Sequence, residues 1–363
     1  MTDTGPPAGR SLLIVATESD PHADAVVEAL GRAGFDDFLR LDASRADRAN
    51  AIEAHPADGR WRIAVRARPE RFVDSRSVRA VYLRRLAGGS DVMRLFQPDA
   101  ETLDRAETFA AVRWLVESLP AERFPFGHPI PLLAAENKLR QLAVARAVGL
   151  RTPETLYGNE AETLARFAEA RGEVAVKPLA NPILVDEGYA QHAALYAARR
   201  PGTDLAQAIR ARGQTQLYLQ GRIAKRADLR LMVFPGRVLG CEIETGILGA
   251  EAMDWRPEIP RIPHRIVPVP ADLEAKARAY LAAIGIGAGY FDFAVLDDGS
   301  HVFFECNPNA EWTWIARRTG HPVADEIAAE LVAAVRAAGA AEAARAIPTA
   351  TAEASRSTHN GAA

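Results

Sequence analysis

The chain has 363 residues, of which 48% are hydrophobic and 25% charged, as in ordinary soluble proteins of two or three domains. Its 44 basic and 47 acidic residues give a net charge of −3, which implies neither a nucleic-acid partner nor a membrane partner. No apolar run approaches the length of a membrane span. Two cysteines are too few for a disulfide framework or a zinc site, so we expect buried thiols and, by default, a cytoplasmic protein.

The N-terminal third of the sequence predicts a small α/β domain. Residues 1–10 are polar and are predicted to be loose. From residue 11 to about 125, strand patterns alternate with helix patterns, which is typical of a parallel sheet flanked by helices. The predicted strands are Ser11–Ala16, Phe35–Leu41, Arg60–Arg68 and Ala80–Arg85. The predicted helices run from Asp20-Pro21 to about Ala33 and over Asp99–Ser118.

From about residue 131 to 340 the order of elements is α+β, with antiparallel hairpins and flanking helices. A Pro-rich and Gly-containing stretch from Phe124 to Pro129 marks the boundary before it. The predicted helices are Ala134–Val148, Ala161–Ala170, Asp272–Ala283 and Asp325–Ala338. The predicted strands are Thr155–Tyr157, Val174–Lys177, Leu217–Gln220, Asp228–Phe234, Arg237–Thr245 and the two arms that flank Asp298-Gly299. The Ala-, Ser- and Thr-rich tail from 342 to 363 is predicted to be disordered.

The arms around Asp298-Gly299 carry the most informative residues. Asp-Gly is a typical type I′ hairpin turn, and symmetrical closure around it would place Asp292 opposite Glu305. Side chains alternate along a strand, so Asn307 would share their face. Such a set of oxygen ligands suits a hard cation, Mg²⁺ or Mn²⁺, although an exposed face with solvated acids is the alternative. The opposite, apolar face would consist of Phe291, Phe293, Val295, Val302, Phe304 and Cys306.

Lysine is rare in this chain, because Arg supplies nearly all of the positive charge. The four lysines are Lys138, Lys177, Lys225 and Lys276. Lys177 ends a predicted buried strand, where a charge needs an anionic partner, and Lys138 lies near the start of a helix, where the dipole prefers anions. A bound phosphate would relieve both lysines, whereas an ordinary surface lysine is the alternative for Lys138. The sequence has no P-loop motif, and no G-x-G-x-x-G follows the first strand.

Seven short motifs resemble, in order, those of the ATP-grasp carboxylate ligases. They are Asn137-Lys138, Val176-Lys177-Pro178, Leu219-Gln220, Asp228-Leu229-Arg230, Asp254-Trp255-Arg256, Asp292 and Glu305-x-Asn307-Pro308-Asn309. Within this family the chain is most similar to the maturases of ribosomal peptides, the microviridin and graspetide ligases. Four features favour that subgroup: Tyr82-Leu83-Arg84-Arg85, the segment from Ala135 to Leu142, Asp254-Trp255-Arg256 and the segment from Asn307 to Trp314. The resemblance runs from about residue 11 to 335.

The resemblance implies an ATP-grasp fold with an N-terminal α/β pre-ATP-grasp domain. Residues 11–125 would form the pre-grasp domain, residues 131–220 the central subdomain and residues 221–340 the C-terminal subdomain. It also implies that ATP activates an Asp or Glu side chain of a precursor peptide as an acyl phosphate. A Ser, Thr or Lys side chain of the same peptide would then attack, giving a macrolactone or a macrolactam. The sequence leaves the oligomeric state open, a homodimer included.

The resemblance also implies roles for individual residues. Asp292, Glu305 and Asn307 would hold two Mg²⁺ ions, with Mn²⁺ as a substitute, and Lys138 and Lys177 would hold the phosphates of ATP. Arg230 and Arg256 would stabilise the transferred phosphoryl group. The remaining nucleotide contacts would come from the hinge next to the adenine and from one asparagine, namely Gln220, Gly221, Arg222, Ile223 and Asn309.

The sequence departs from the family pattern at three places. The stretch 179–188 has one glycine where a Gly/Ser-rich phosphate cover is common, Gly221 stands where Glu is usual, and Ala310 stands where Gly is common. Two other functions therefore remain open. One is a glutathione-synthetase-like ligase that joins a free amino acid or a small peptide. The other is a degenerate, nucleotide-dependent peptide-binding protein.

Overall fold

The structure is a computed structural model that describes residues 9–43, 49–84, 100–179, 183–185, 192–194, 198–213, 216–249 and 258–346. The chain divides into two compact units. Unit 1 comprises Met1–Pro125 and Ala324–Ala363, and unit 2 comprises Phe126–Val323. In the described ranges no helix is both long enough and apolar enough to cross a membrane.

Unit 1 is built on a three-stranded parallel sheet. Strands β1 (Leu12–Val15), β2 (Phe38–Leu41) and β6 (Ala80–Leu83) lie in the order β2-β1-β6, and β1 is buried throughout. Helix α1 (Pro21–Arg32) connects β1 to β2. Asp20 caps this helix, because its side chain accepts hydrogen bonds from the N–H groups of the second and third helical residues. The predicted strand–helix–strand order is confirmed here.

A second sheet of unit 1 was not predicted. It is an antiparallel meander of β3 (Asn50–His55), β4 (Arg60–Val65) and β5 (Arg68–Asp74), which follow β2 and precede β6 in the chain. The predicted parallel sheet is confirmed, but the predicted strand Arg60–Arg68 is not part of it and consists of β4, a turn and the first residue of β5. Gly59, at φ 67°, makes the reversal between β3 and β4 possible. Helix α2 (Ala100–Glu117) completes this part of the unit.

The first sheet of unit 2 is antiparallel and has the order β11-β8-β12-β7. Its strands are β7 (Thr155–Gly158), β8 (Glu173–Lys177), β11 (Ala198–Pro201) and β12 (Leu217–Gly221). A two-stranded ladder of β9 (Ile183–Val185) and β10 (His192–Ala194) lies between β8 and β11 in the chain. The helices before and beside this sheet are α3 (Pro129–Ala135), α4 (Lys138–Ala147), α5 (Ala161–Glu169) and α6 (Gly202–Arg212). Leu164, Val174, Ile209 and Leu219 form the core between α5, α6 and the sheet.

The second sheet of unit 2 has five antiparallel strands in the order β15-β14-β13-β16-β17. They are β13 (Ala227–Phe234), β14 (Arg237–Ile243), β15 (His264–Val267), β16 (Gly289–Val295) and β17 (His301–Asn307). Helix α7 (Ala271–Ile284) precedes β16, and α8 (Thr313–Thr319) follows β17. The ring of Tyr280 on α7 lies 5.2 Å from that of Phe291 and 5.5 Å from that of Phe303, so an aromatic core backs the β16–β17 hairpin.

The last helix, α9 (Val323–Ala346), is longer than predicted and contributes to unit 1. Asp325 pairs with Arg32 at 2.8 Å, and Glu342 pairs with Arg79 at 3.0 Å. Residues 342–346 were predicted to belong to the disordered tail, and this is wrong because they continue the helix. The rest of the predicted tail lies outside the described residues.

The predicted helix Ala134–Val148 is two helices. Asn137 separates α3 from α4, because its ψ of 105° leaves the helical region. Its side chain then accepts a 3.0 Å hydrogen bond from the N–H of Arg140. Asparagine favours such cap positions over helix interiors, since its side chain competes for the backbone N–H groups. Lys138 is therefore the first residue of α4.

The β16–β17 hairpin has the predicted Asp292–Glu305 pairing, but not for the predicted reason. Val295 pairs with His301 and Leu296 N–H bonds to Ser300, so the loop has three residues ending at Gly299, whose φ is 78°. This shifts the register by one residue near the turn. A β-bulge beyond Phe293 shifts it back, because Phe304 is the extra residue between the paired positions. Phe303, not Phe304, consequently faces the core.

Candidate functional site

Three predicted site residues lie in one row across the second sheet of unit 2. Arg230 on β13 pairs in register with Asp292 on β16, which pairs with Glu305 on β17. Arg230 Nε lies 3.1 Å from Asp292 Oδ1, and the Arg230 side chain is only 8% exposed. Asn307 Nδ2 donates a 3.2 Å hydrogen bond to Glu305 Oε1. The sheet thus brings the three predicted metal ligands and one predicted catalytic arginine together.

Lys138 reaches the same row from the first turn of α4. Its Nζ lies 3.7 Å from Glu305 Oε2 and donates a 3.3 Å hydrogen bond to the carbonyl of Pro178. Lys138 therefore joins the hairpin to the end of β8, because Pro178 follows directly after Lys177. Lys138 thus contacts the residue after the end of β8 in the first sheet and a residue on β17 in the second.

Lys177 ends β8 and lies over the ring of Phe304, with 4.6 Å from its Nζ to the ring centroid. Burial lowers the pKa of Lys177 to about 8, because a charged amine loses its hydration there. The negative charge of Glu305 opposes this shift, whereas the positive charges of Lys138 and Lys225 add to it. An anion bound at this position would raise this pKa and stabilise the charged form of the amine.

The Glu305 carboxylate is ionised more readily than an ordinary glutamate. Burial would raise its pKa, but the charges of Lys138 and Lys177, the hydrogen bond from Asn307 and the charge of Arg230 together lower it. Burial and the negative charge of Glu305 raise the pKa of Tyr218 on β12. The site therefore keeps a carboxylate at its centre and a neutral phenol beside it.

The predicted hinge at the end of β12 is well ordered by hydrogen bonds. Gln220 is buried, and its Nε2 donates to Thr155 Oγ1 at 3.1 Å and to the hydroxyl of Tyr218 at 3.0 Å. The N–H groups of Gly221 and Arg222 donate to the backbone carbonyls of Glu154 and Glu173, respectively. A nucleotide base at this hinge would therefore use other backbone groups of the segment.

The remaining predicted residues are less informative. Arg222 forms a 2.6 Å ion pair with Glu173, which gives its side chain a structural partner. Ile223 continues the segment after β12, and Asn309 lies in the turn after β17. Arg256 falls outside the described residues, so its predicted role stays a prediction.

Two site residues escaped the sequence analysis. Phe304 was assigned to the apolar back, but the bulge turns its ring towards Lys177 and, at 5.6 Å from its centroid, Lys225. Lys225 Nζ lies 2.7 Å from Asp228 Oδ1, and Thr245 Oγ1 donates to Asp228 Oδ2 at 2.6 Å. The run Phe303-Phe304 was the available signal, since strict alternation cannot place both rings in one core.

The donor set fits a hard cation together with an anionic ligand. In the described part of the chain, no three His, Cys, Asp or Glu side chains come together as a metal cluster. The predicted set instead combines two carboxylates with an amide, Asp292, Glu305 and Asn307. Carboxylate and amide oxygens suit Mg²⁺, which binds few protein groups and completes its shell with water and phosphate oxygens. Lys138 and Lys177 lie beside it and would bind those phosphates.

Known structures share this architecture. An ATP-grasp ligase of Chryseobacterium gregarium, associated with ribosomal peptides and solved with ADP and a leader and core peptide, superposes with a TM-score of 0.74. The match covers 89% of this chain and 96% of that chain at 21% identity. The chain has the ATP-grasp fold. The macrocyclase MdnC of Microcystis aeruginosa, bound with precursor peptide MdnA, gives a TM-score of 0.71 at 22% identity, covering 89% of this chain and 99% of that one.

Further evidence for the ATP-grasp fold comes from the ligase PsnB, solved with minimal precursor, Mg and ADP. It superposes with a TM-score of 0.69 at 19% identity, covering 90% of this chain and 97% of that chain. No protein-family model matches the sequence, and no curated protein matches it either. The predicted ATP-grasp fold is thus confirmed by structure rather than by sequence similarity.

Proposed function

We propose that this protein is an ATP-dependent carboxylate ligase that forms side-chain ester or amide links in a ribosomal precursor peptide. One observation carries the proposal. Lys138, a lysine placed to bind phosphate, has its Nζ 3.7 Å from Glu305 Oε2, and Glu305 belongs to a group of carboxylate and amide side chains that suits Mg²⁺. The ATP-grasp fold of the chain supports it. So do the precursor peptides, ADP and Mg bound in the structures that the chain resembles.

Under this proposal ATP supplies the phosphoryl group that converts a carboxylate of the peptide into an acyl phosphate, which loses phosphate when a hydroxyl or amine attacks. The chain's own residues bind and orient the reactants. Asp292, Glu305 and Asn307 hold two Mg²⁺ ions, and Lys138 and Lys177 hold the phosphates. Positioning and charge neutralisation account for most of the catalysis of phosphoryl transfer, and this site offers both.

The arginines and the hinge complete the proposed assignment. Arg230, held by Asp292 in the same row, and Arg256 stabilise the charge of the transferred phosphoryl group. The segment Gln220–Ile223 and Asn309 bind the rest of the nucleotide. We place the protein in the cytoplasm, where buried reduced thiols such as Cys241 and Cys306 are usual.

Mass spectrometry tests the proposal directly. The protein is incubated with ATP, Mg²⁺ and the peptide encoded beside its gene, and we expect the peptide to lose the mass of one water for each link formed. ATP turnover driven by a free amino acid, with the peptide unchanged, would favour a small-molecule ligase. Binding of the peptide without ATP turnover would favour a degenerate binding protein. Either of these two results contradicts the proposed function.

A further inference from the structure

A single buried glutamine connects helix α4 to the edge of the second sheet of unit 2. Gln141 is 2% exposed, and its Nε2 donates two 2.7 Å hydrogen bonds, one to the carbonyl of Cys306 on β17 and one to the carbonyl of Ala135 on α3. Its Oε1 accepts a 3.0 Å hydrogen bond from the N–H of Cys306. All the hydrogen-bonding groups of this amide are therefore engaged with backbone.

The contact with Cys306 takes the place of a neighbouring strand. Strand β17 is the last strand of its sheet, so its outer backbone groups have no ladder partner within that sheet. The Gln141 amide offers one donor and one acceptor to the same residue, as a paired residue of an adjacent antiparallel strand would. Such buried backbone groups are costly to leave unpaired, and the pairing therefore fixes the distance between α4 and β17.

The position of this contact in the sequence gives it a functional consequence. Cys306 lies between Glu305 and Asn307, whose side chains face the site, and Gln141 lies one turn after Lys138 on α4. One side chain thus ties the backbone between two proposed metal ligands to the helix that carries a proposed phosphate-binding lysine. Lys138 Nζ and Glu305 Oε2, which lie 3.7 Å apart, belong to the two segments that this side chain joins.

We propose that Gln141 is a positioning residue, which sets the spacing between Lys138 and the Glu305–Asn307 pair and thereby the affinity for Mg-nucleotide. This inference rests on the proposed function. Only an amide fits the requirement, because Glu lacks the donors, Met lacks both kinds of group, and Asn is shorter by one methylene.

A double-mutant cycle on Mg-ADP affinity tests the proposal. Calorimetric titration compares wild type, Gln141→Met, Lys138→Met and the double variant. We expect Gln141→Met to weaken Mg-ADP binding at least tenfold and to have little further effect once Lys138 is replaced. Leu142→Ala is the matched control, because Leu142 is a buried neighbour on the same helix whose side chain has no hydrogen-bonding group. It should lower Tm while leaving the affinity unchanged.

Amide hydrogen exchange gives a readout that does not depend on nucleotide. Exchange at Cys306 should accelerate in nucleotide-free Gln141→Met and not in Leu142→Ala. If Gln141→Met does not fold, Gln141→Asn carries the same comparison, because its amide is shorter by one methylene and does not reach Cys306.

Each outcome has one meaning. Unimpaired Mg-ADP binding by the Gln141 variants, or a loss that is fully additive with that of Lys138→Met, overturns the inference and leaves the proposed function intact. Failure of the wild-type protein to bind Mg-ADP overturns the proposed function, and the inference with it.

Discussion

Arg230 and Asp292 are cross-strand partners, and Arg230 Nε lies 3.1 Å from Asp292 Oδ1. Glu305, the next residue in the row, has Lys138 as a cationic partner, with 3.7 Å between Lys138 Nζ and Glu305 Oε2. Each of the two carboxylates is thus matched with a cation of its own, which reduces their mutual repulsion in the absence of a metal. If a metal binds at this row, we expect anionic phosphate to accompany it, because the positive charges of Arg230 and Lys138 would otherwise oppose the metal.

Replacement of Glu305 by Gln tests this arrangement. The substitution keeps the size of the side chain but removes the charge that would hold a metal. Because a bound metal supplies several kcal/mol of charge stabilisation, we expect Mg²⁺-dependent ATP turnover to fall roughly a hundredfold or more. Steady-state ADP release measures it. Asp272→Asn, at an exposed position on α7, serves as the control and should behave like wild type. Unchanged turnover in Glu305→Gln would falsify the proposed metal role.

Phe303 and Phe304 offer a matched pair that tests the β-bulge. Phe303 is fully buried, so Phe303→Leu should cost about 1–3 kcal/mol of unfolding free energy and leave nucleotide affinity unchanged. Phe304 contacts two lysines, so Phe304→Leu should change stability little but weaken Mg-ADP binding several-fold, in line with a cation–π contribution of about 0.5–2 kcal/mol. Denaturant melts and calorimetry measure the two effects. If Phe304→Leu instead lowered the stability and Phe303→Leu weakened Mg-ADP binding, the side chains of β17 would alternate without a bulge.

Most of the second sheet of unit 2 could be predicted from the sequence, because the strand and turn patterns that indicate it are local. Asp228–Phe234 and Arg237–Thr245 flank Pro235-Gly236, and the structure has β13 and β14 there. The Asp292–Glu305 pair was also predicted, although two one-residue shifts cancel in reaching it. A bulge is set by packing of the rings of Phe291, Phe293 and Phe303, which no pattern of alternation reveals.

Other elements depend on contacts distant in sequence and escaped prediction. Strands β3 and β15 are short and rich in exposed residues, so their hydrophobic pattern is weak. Helix α6 begins at Gly202, although glycine is a poor helix former. The backbone of Gly202 lies so close to the carbonyl of Ala168 that no side chain would fit there. Gln141 lies in a segment that carries the family resemblance, but its burial was not predicted, because a glutamine on a helix is ordinarily a surface residue. Its role follows only from the position of Cys306 in space.

The Asp20–Arg84 pair in unit 1 predicts a stability effect separate from the site. Both side chains are nearly inaccessible, at 6% and 2% exposure, and Arg84 Nε lies 3.4 Å from Asp20 Oδ2. Asp20→Ala removes the cap of α1 and leaves a buried arginine without its carboxylate, so we expect a loss of about 3–5 kcal/mol in unfolding free energy. Thermal or urea unfolding measures it. Asp24→Ala, at an exposed position on the same helix, is the control and should cost far less.

The Asp20–Arg84 pair also affects how the stability of the fold changes at acid pH. Burial opposes ionisation of Asp20, but the charge of Arg84 and the hydrogen bonds from the Ala23 and His22 N–H groups outweigh it and lower the pKa of Asp20. A lowered aspartate pKa contributes stability above its unfolded value near 3.9, and that stability is lost as pH falls through the folded value. Wild-type unit 1 should therefore lose stability below about pH 4 more steeply than Asp20→Asn. Equal slopes for the two proteins would contradict this assignment.

Lys177 predicts how nucleotide affinity depends on pH. Its pKa of about 8 in the free protein means that the amine is charged below pH 8 and loses its proton above it. The charged and titratable groups that act on it are Glu305, Asp292, Lys138 and Lys225. Bound phosphate favours the charged amine, so binding above pH 8 must take up a proton. The affinity for Mg-ADP should then fall by up to about tenfold for each pH unit above 8.

Calorimetry in buffers of different ionisation enthalpy measures both the affinity and the proton uptake. Lys177→Arg is the informative variant, because guanidinium stays charged at every pH used and removes the uptake of a proton. Its affinity should be lower at neutral pH, since a planar fork replaces a compact charge, but nearly independent of pH. Lys276→Arg, at the helix surface, should retain the wild-type profile. A wild-type affinity that does not change across pH 8, or an identical slope in Lys177→Arg, would remove Lys177 from the phosphate site.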